Sequence, residues 1–252
     1  MTSKAQVSLL CLPCGGASAA MYARWRLHLP RWIQLFPIEL PGRGARVAEP
    51  FSDNISELVE QLCLEHARVL ETPYALFGHS MGGLLAYCMA RHLQQHGRAL
   101  PLMMFASASP APSSSWSFSA RDGDEALLQD LHRYGGVPDD VLESPEMLRL
   151  ALDALAADYV LCSSFAYQGA AHLPVPLRVF AGRDDVVRQE QLAAWRRETT
   201  ASFSIHWFDG GHFYLRPNEK PVVRLIEQQL ADTLKTLKEN SEPALPALPA
   251  SL

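Results

Sequence analysis

The sequence predicts an α/β fold, in which a mostly parallel, doubly wound sheet is covered by helices and carries an inserted helical lid. Three observations support this prediction. Short apolar runs of strand length recur along the chain, helical patterns separate them, and one long stretch in the second half has helical patterns but no convincing strand. Strands that alternate with helices are typical of a parallel sheet, because each parallel connection needs a crossover.

Six short runs are predicted to contain strands. Most of them are continuous in apolar residues and do not alternate with polar ones, which indicates strands that are buried on both faces of the sheet. The runs are residues 7–12, 33–40, 74–77, 102–106, 177–181 and 203–208.

Helical patterns lie between these runs. Apolar residues recur at helical spacing over 55–70, where Ser52 or Asn54 can cap the start of the helix. Residues 83–95 form a second pattern, and an apolar stripe over 226–237 marks the last helix.

The stretch 109–176 breaks the alternation of strands and helices. Loops this long are rare in compact domains, and an inserted helical lid is a common functional exception. We therefore expect an α/β core of residues 1–108 and 177–238 with a lid over 109–176. The tail 239–252 is rich in Pro and Ala, which predicts a flexible segment.

Composition and charge exclude several classes of protein. The chain of 252 residues has 22 Lys and Arg against 27 Asp and Glu, a net charge of −5. A nucleic-acid-binding protein would need clustered basic residues, and this charge balance argues against them. We therefore expect the protein to bind no nucleic acid. No apolar run approaches the roughly 20 residues of a membrane span, and from the residues at the N-terminus we expect no secretion signal.

The five cysteines indicate a reducing compartment. An odd, scattered set in a chain of this length does not make a disulfide framework, so we expect a cytoplasmic protein. Cys11 and Cys14 have the spacing of a redox pair or half a zinc site, but no second pair completes a site. His92 and His96, four residues apart, also lack a third ligand. We expect no metal site.

The strongest motif is Gly78-His79-Ser80-Met81-Gly82, a G-x-S-x-G sequence between a predicted strand and a predicted helix. In the α/β-hydrolase fold this context forms a nucleophile elbow, a sharp turn that strains the serine backbone and exposes its Oγ. Glycines are needed around the turn because a Cβ there would collide with a neighbouring strand or helix. Ser80 is therefore the candidate nucleophile.

A serine hydroxyl needs a base to take its proton, and in this fold an acid and then a histidine follow the serine in the chain. Asp184 and Asp185 come just after one predicted strand, and His212 follows the next. We prefer Asp185 as the acid, with Asp184 as the second candidate and Asp209 as the third. All of them fall at carboxyl ends of strands, where open α/β sheets build their sites.

Acyl chemistry also needs N–H donors for the developing oxyanion. One candidate is the backbone N–H of Met81, the residue after the nucleophile. The other belongs to the loop after the first strand, where two glycines allow a close approach to substrate. We favour the N–H of Gly15, with that of Cys14 as the alternative.

Taken together, these motifs resemble the type II, stand-alone thioesterases that accompany nonribosomal peptide and polyketide synthases. The resemblance extends over about residues 8–235. Leu-Pro-Gly-Arg at 40–43 in particular separates this group from general esterases. The matching stretches are 12–25, 39–50, 76–82, 152–159, 195–199 and 208–213.

The resemblance implies an α/β-hydrolase that removes acyl or aminoacyl groups from the phosphopantetheine arm of carrier domains and so clears stalled or incorrect groups. It implies no cofactor beyond the arm of the partner, and we expect a monomer. The sequence departs from the family twice. The first loop reads Gly15-Gly16-Ala17 where Ala-Gly-Gly is usual, and Ala156 stands where an Arg commonly precedes the Ala-Asp pair of the lid helix.

Carrier domains tend to be acidic, so a basic or apolar docking patch is expected on the enzyme. Arg43 and Arg46 are candidates for it, and structural salt links near the site are the alternative interpretation. Two other functions compete with carrier-bound thioester hydrolysis. One is a general carboxylesterase for small esters on the same fold, and the other is a non-catalytic protein that docks carriers.

Overall fold

A single sheet of six strands organises the chain. The computed structural model describes residues 6–114, 123–135, 139–169 and 172–241. All five strand pairings are parallel, and the order across the sheet is β2-β1-β3-β4-β5-β6. The strands are β1 Val7–Leu12, β2 Ile33–Pro37, β3 Tyr74–His79, β4 Met104–Ser107, β5 Leu177–Gly182 and β6 Phe203–Phe208.

Each of the six predicted runs overlaps one of these strands, and β3, β4 and β5 extend one or two residues past the end of the run. The start of the strand differs from the start of the run at β4 alone among the six, because β4 begins at Met104 and not at Leu102. Leu102 donates its N–H to the carbonyl of Tyr74 at 2.8 Å, but the ladder with β3 begins at the pair Leu76 and Met104. The apolar run thus starts before the strand does, because a residue can be buried without belonging to the hydrogen-bonded ladder with a neighbouring strand.

Eight α-helices occur among the described residues. The helix predicted over 55–70 is two helices, because the backbone of His66 leaves the helical conformation. The imidazole Nδ1 of His66 lies 3.0 Å from the carbonyl oxygen of Leu62. Asn54 caps the first of them. The helices are α1 Ile55–Glu65, α2 Ala67–Leu70, α3 Met81–Gln95, α4 Asp124–Tyr134, α5 Asp139–Leu142, α6 Pro145–Ser163, α7 Gln189–Ala193 and α8 Glu219–Ser241; short 3₁₀ helices cover Ala19–Leu27, Gly44–Arg46 and Ala194–Glu198.

Two apolar cores lie on opposite faces of the sheet. One includes Leu62 of α1 and Leu85 of α3, and the other includes Trp25 and Ile226 of α8. All six residues of β1 are buried. Coverage of both faces is the physical reason for the continuous apolar strand runs.

The helices α4, α5 and α6 lie between β4 and β5, within the predicted insertion 109–176. Leu127, Leu152 and Leu155 form a small apolar cluster of their own. Among the described residues of these three helices, Leu161 and Cys162 at the end of α6 belong to the core that includes Leu62 and Leu85. Parts of the insertion, residues 115–122, 136–138 and 170–171, lie outside the described residues.

The last helix is longer than the sequence pattern predicts. It extends to Ser241, whereas the tail is expected to begin at 239. Lys238 and Glu239 are good helix formers, and the first proline after them is Pro243. The rest of the predicted tail, 242–252, lies outside the described residues. Within the part of the chain that the structure describes, no helix combines the length and the apolar character needed to cross a bilayer.

Candidate active site

Ser80 stands at the sharp turn between β3 and α3. Its backbone has φ 54° and ψ −118°, a region that residues with a side chain rarely adopt. Its N–H donates to the carbonyl of Ser107 at 2.7 Å, which ties the turn to β4. The strain places Ser80 at the carboxyl edge of the sheet and at the N-terminus of α3, where backbone N–H groups lack helical partners.

The glycines of the motif make this turn possible. A Cβ on Gly78 would lie 1.9 Å from the carbonyl oxygen of Gly82, and a Cβ on Gly82 would lie 2.2 Å from that of Leu12. Both clashes are with backbone, which cannot rotate away. The turn therefore closes only when these positions lack side chains.

His212 and Asp185 form a hydrogen-bonded pair at the same edge of the sheet, after β6 and β5. Nδ1 of His212 lies 2.9 Å from Oδ1 of Asp185 and 3.1 Å from Oδ2. The two side chains are only 6% and 1% exposed. Because an ionised carboxylate only accepts, Nδ1 is the donor, and Nε2 of the ring is left to act as a base.

The other two candidate acids lie elsewhere. Asp184 is exposed. The side chain of Asp209 is 94% exposed and accepts a hydrogen bond from Nε of Arg183 at 3.2 Å. The structure therefore pairs His212 with Asp185 and with neither alternative.

His79 lies beside the elbow in a buried polar network. Its Nδ1 is 2.8 Å from Oγ of Ser107, which in turn is 2.6 Å from the hydroxyl of Tyr214. Its ring centroid is 5.3 Å from that of His212. Burial, reinforced by the charges of His212 and Arg216, lowers the pKa of His79 well below its usual value. His79 is therefore a neutral structural neighbour of the catalytic candidates.

The loop after β1 approaches the elbow from the other side. Gly15 and Cys14, the two candidate donors, line the same cavity as Ser80 and Met81. The N–H groups of Gly15 and Met81 have no hydrogen-bond partner among the described residues. The N–H of Gly16 is already engaged, because it donates to Oδ2 of Asp158 at 2.7 Å.

Asp158 of α6 also forms an ion pair with Arg43. Nη1 and Nη2 of Arg43 lie 2.6 Å from Oδ2 and Oδ1 of Asp158, and the two side chains are 8% and 3% exposed. Sequence reasoning assigned no role to Asp158, which stands within the stretch 152–159. A signal was available there, because Asp158 follows Leu155 by three residues and so shares its buried helix face.

Arg46, the second candidate for carrier docking, is likewise engaged. It donates to both carboxylate oxygens of Glu49 and of Glu65. Arg43 and Arg46 thus form structural salt links, which was the alternative interpretation of the pair.

A cavity of about 1020 Å³ opens over these groups. Ser80 and His212, which follow strands of the sheet, line this cavity together with Leu155 and Tyr159 of α6. Tyr134, the last residue of α4, places its ring 4.8 Å from the ring of His212. The inserted helices therefore complete a chamber above the hydroxyl and the imidazole.

Residues 7–230 match the family model described as a thioesterase domain. The chain belongs to the thioesterase family. With the parallel sheet, this membership confirms the α/β-hydrolase fold and the resemblance that the motifs predict. The protein is a hydrolase that acts on thioesters.

Relatives of this thioesterase come from biosynthetic pathways. The gramicidin S biosynthesis protein GrsT of Aneurinibacillus migulanus is 31% identical over 233 residues, which cover 91% of each chain. The solved structure of RedJ, a thioesterase of the prodiginine pathway in Streptomyces coelicolor, aligns with a TM-score of 0.83 at 31% identity, over 88% of this chain and 89% of that one. The type II thioesterase BorB of the borrelidin cluster aligns with a TM-score of 0.81 at 33% identity, over 91% and 94%.

Proposed function

We propose that this thioesterase hydrolyses acyl or aminoacyl thioesters held on the phosphopantetheine arm of carrier domains, as an editing enzyme of nonribosomal peptide or polyketide synthesis. The observation that carries the proposal is that His212, hydrogen-bonded to Asp185, lines the same cavity as the strained Ser80. Relatives from several biosynthetic pathways, one of them named as a type II thioesterase, support the substrate class.

In the first half of the proposed reaction, Oγ of Ser80 attacks the thioester carbonyl carbon while Nε2 of His212 takes its proton. Asp185 stabilises the imidazolium through Nδ1–H. The negative charge that develops on the carbonyl oxygen is held by the N–H of Met81 and that of Gly15 or Cys14. Collapse of the tetrahedral intermediate breaks the C–S bond, and the leaving thiolate takes the proton from His212.

In the second half, water replaces the thiol in the cavity. His212 removes a proton from this water as it attacks the ester carbonyl of acyl-Ser80. The same two N–H donors stabilise the second oxyanion. Collapse then returns the proton from His212 to Oγ of Ser80 and releases the carboxylic acid, so no cofactor belonging to the enzyme is required.

The helices α4–α6 serve as the lid in this proposal. Leu127 of α4 and Leu152 and Leu155 of α6 pack in a small core of their own, whereas Asp158 and the end of α6 anchor the lid to the rest of the chain. The chamber of about 1020 Å³ is at the upper end of the usual range of roughly 300–1,000 Å³ for small-molecule sites, and can hold an acyl chain with the end of an arm.

The partner is a carrier domain in this proposal. Arg133, Arg188 and Arg216 are exposed and line the same cavity, so they are the nearest cations for an acidic carrier and the phosphate of its arm. The nucleophile, base, acid and donors all come from one chain, which supports action as a monomer. Five free cysteines support a cytoplasmic location.

The decisive experiment follows release of acyl groups from a loaded carrier domain by mass spectrometry. We expect the wild-type enzyme to release a panel of acyl groups, and Ser80→Ala to lose release by about 10⁴-fold or more, because the nucleophile is absent. Ser52→Ala, a serine outside the cavity, is the matched control and should retain full activity.

The same assay separates the proposed function from its alternatives. Equal or faster turnover of a simple aryl ester than of the loaded carrier would favour a general carboxylesterase. Full release by Ser80→Ala, or no labelling of Ser80 by a serine-reactive phosphonate, would refute the acyl-enzyme mechanism.

A further inference from the structure

The loop of residues 14–17, here called the oxyanion loop, is held by side chains from two distant parts of the chain. Oδ2 of Asp158 accepts from the N–H of Gly16 at 2.7 Å, and Nη1 of Arg43 donates to the carbonyl of Ala17 at 3.4 Å. The N–H of Gly16 and the carbonyl of Ala17 are thus both held by hydrogen bonds. This contact joins the lid helix α6 directly to the loop that carries the candidate donors.

The loop needs such a restraint because of its composition. Gly15 and Gly16 have no Cβ, so their backbones are free to adopt many conformations, and Gly16 has φ +73°. An oxyanion donor acts only if it is aimed at the oxyanion before the reaction begins. Two adjacent glycines cannot provide this aim by themselves.

The Arg43–Asp158 pair is built to hold a fixed geometry. Both contacts of its bidentate fork are 2.6 Å, and both side chains are nearly fully buried. A planar guanidinium that meets a carboxylate in this way restricts orientation as well as distance. Removing either partner would leave the other as an uncompensated charge in the interior.

We propose that Asp158 is a positioning residue for the oxyanion hole. Held by Arg43, its carboxylate fixes the peptide plane of Gly16, and the shared Cα of Gly15 transmits this restraint to the N–H of Gly15 and to Cys14 before it. The proposal rests on the acyl-enzyme mechanism above. In this proposal Asp158, a residue of the lid, orients an N–H donor that belongs to the α/β core.

The test uses acyl-N-acetylcysteamine thioesters, so it does not depend on a carrier domain. Asp158→Asn would present an amide NH₂ to the guanidinium and break the fork. Loss of a whole donor costs about 10²–10³ in rate, so a misaligned donor should lower kcat by about 10- to 100-fold while KM stays within about threefold. Arg43→Lys, which keeps the charge but loses the fork, should show a smaller loss of the same kind.

The matched control is Glu65→Gln. It weakens one of the two salt links of Arg46, that between Arg46 and Glu65, which does not touch the oxyanion loop. We expect it to lower the unfolding midpoint at most, with kcat unchanged.

Two inhibitors separate positioning from a merely structural role. A trifluoromethyl ketone forms a tetrahedral adduct with Ser80 and needs the oxyanion hole, whereas an uncleavable thioether analogue does not. The proposal expects Asp158→Asn to weaken the ketone in parallel with kcat and to leave thioether affinity unchanged. Unchanged kcat, or an equal loss of affinity for both inhibitors, would overturn it.

If Asp158→Asn does not fold, Arg43→Lys carries the same comparison, since it keeps a buried ion pair. A failure of the proposed function would give a different result from a failure of the proposed role of Asp158. A wild-type enzyme that hydrolyses the small thioester but leaves a loaded carrier intact would refute the carrier substrate and not the role of Asp158.

Discussion

At the scale of single residues, two neighbouring aspartates have different environments. One carboxylate is exposed at the surface, and the next along the chain is buried against His212. Asp184 faces solvent, whereas Asp185 is turned inward, with a side chain only 1% exposed. Oδ1 of Asp185 accepts from the N–H of Val187 at 3.2 Å as well as from His212. The second hydrogen bond fixes the carboxylate, and the carboxylate fixes the imidazole.

This difference predicts opposite results for two matched variants. Asp185→Asn should lower kcat by about 10⁴-fold, because an amide can hold the wrong tautomer of His212 and cannot stabilise the imidazolium. Asp184→Asn should stay within about twofold of wild type. Steady-state hydrolysis of a small acyl thioester measures both, and comparable losses in the two variants would contradict the assignment of the acid.

At the scale of elements, the approach of α3 to β1 limits what the first turn of the helix can contain. Gly82 lies against the carbonyl of Leu12, at the end of β1. Just beyond the opposite end of α3, Gly97 has φ +62°, and among the described residues no atom beyond its own chain neighbours lies within 4 Å of the position that a Cβ would take there. One glycine is therefore required by packing and the other only by backbone conformation.

We expect Gly82→Ala to lower the free energy of unfolding by at least about 3 kcal/mol, because a Cβ would clash with the backbone carbonyls of Leu12 and Pro13, which cannot rotate away. Gly97→Ala should cost only about 1 kcal/mol, the strain of a left-handed backbone with a Cβ. Urea unfolding followed by circular dichroism compares the two. Equal costs would show that the helix can move away from β1 freely.

At the scale of the whole molecule, burial controls the chemistry of all five thiols. Cys11, Cys14, Cys63 and Cys162 are buried, Cys88 is partly buried, and none forms a disulfide. Burial raises the pKa of Cys63 to about 11 and that of Cys14 and Cys88 to about 12. The same cause raises the pKa values of Cys11 and Cys162 well above the usual value of a thiol.

The native enzyme should therefore react slowly with an aromatic disulfide reagent at pH 8, because so little thiolate is present. In denaturant all five thiols should react at once. Absorbance of the released chromophore counts them. Rapid reaction of Cys14 in the native enzyme, identified by peptide mapping, would show that the oxyanion loop opens readily to solvent.

The local pattern is sufficient for the main elements. Continuous apolar runs predict six parallel strands because strands covered on both faces need no polar residues. The elbow is equally local, since its glycines, strand and helix are consecutive. Boundaries are less accurate, as at β4 and His66, because pairing partners and side-chain contacts with backbone are set by other parts of the chain.

What the sequence determined by itself is the fold class, the position of Ser80 in its elbow and the identity of the family, because each is encoded in consecutive residues or in a spaced set of motifs. Only the tertiary structure placed Asp185, and not Asp184, against His212, and brought Asp158 to Arg43 and Gly16. These contacts join residues between 27 and 142 positions apart. Such pairings depend on how the helices and strands pack, and a local pattern of residues does not specify which distant residue a side chain will contact.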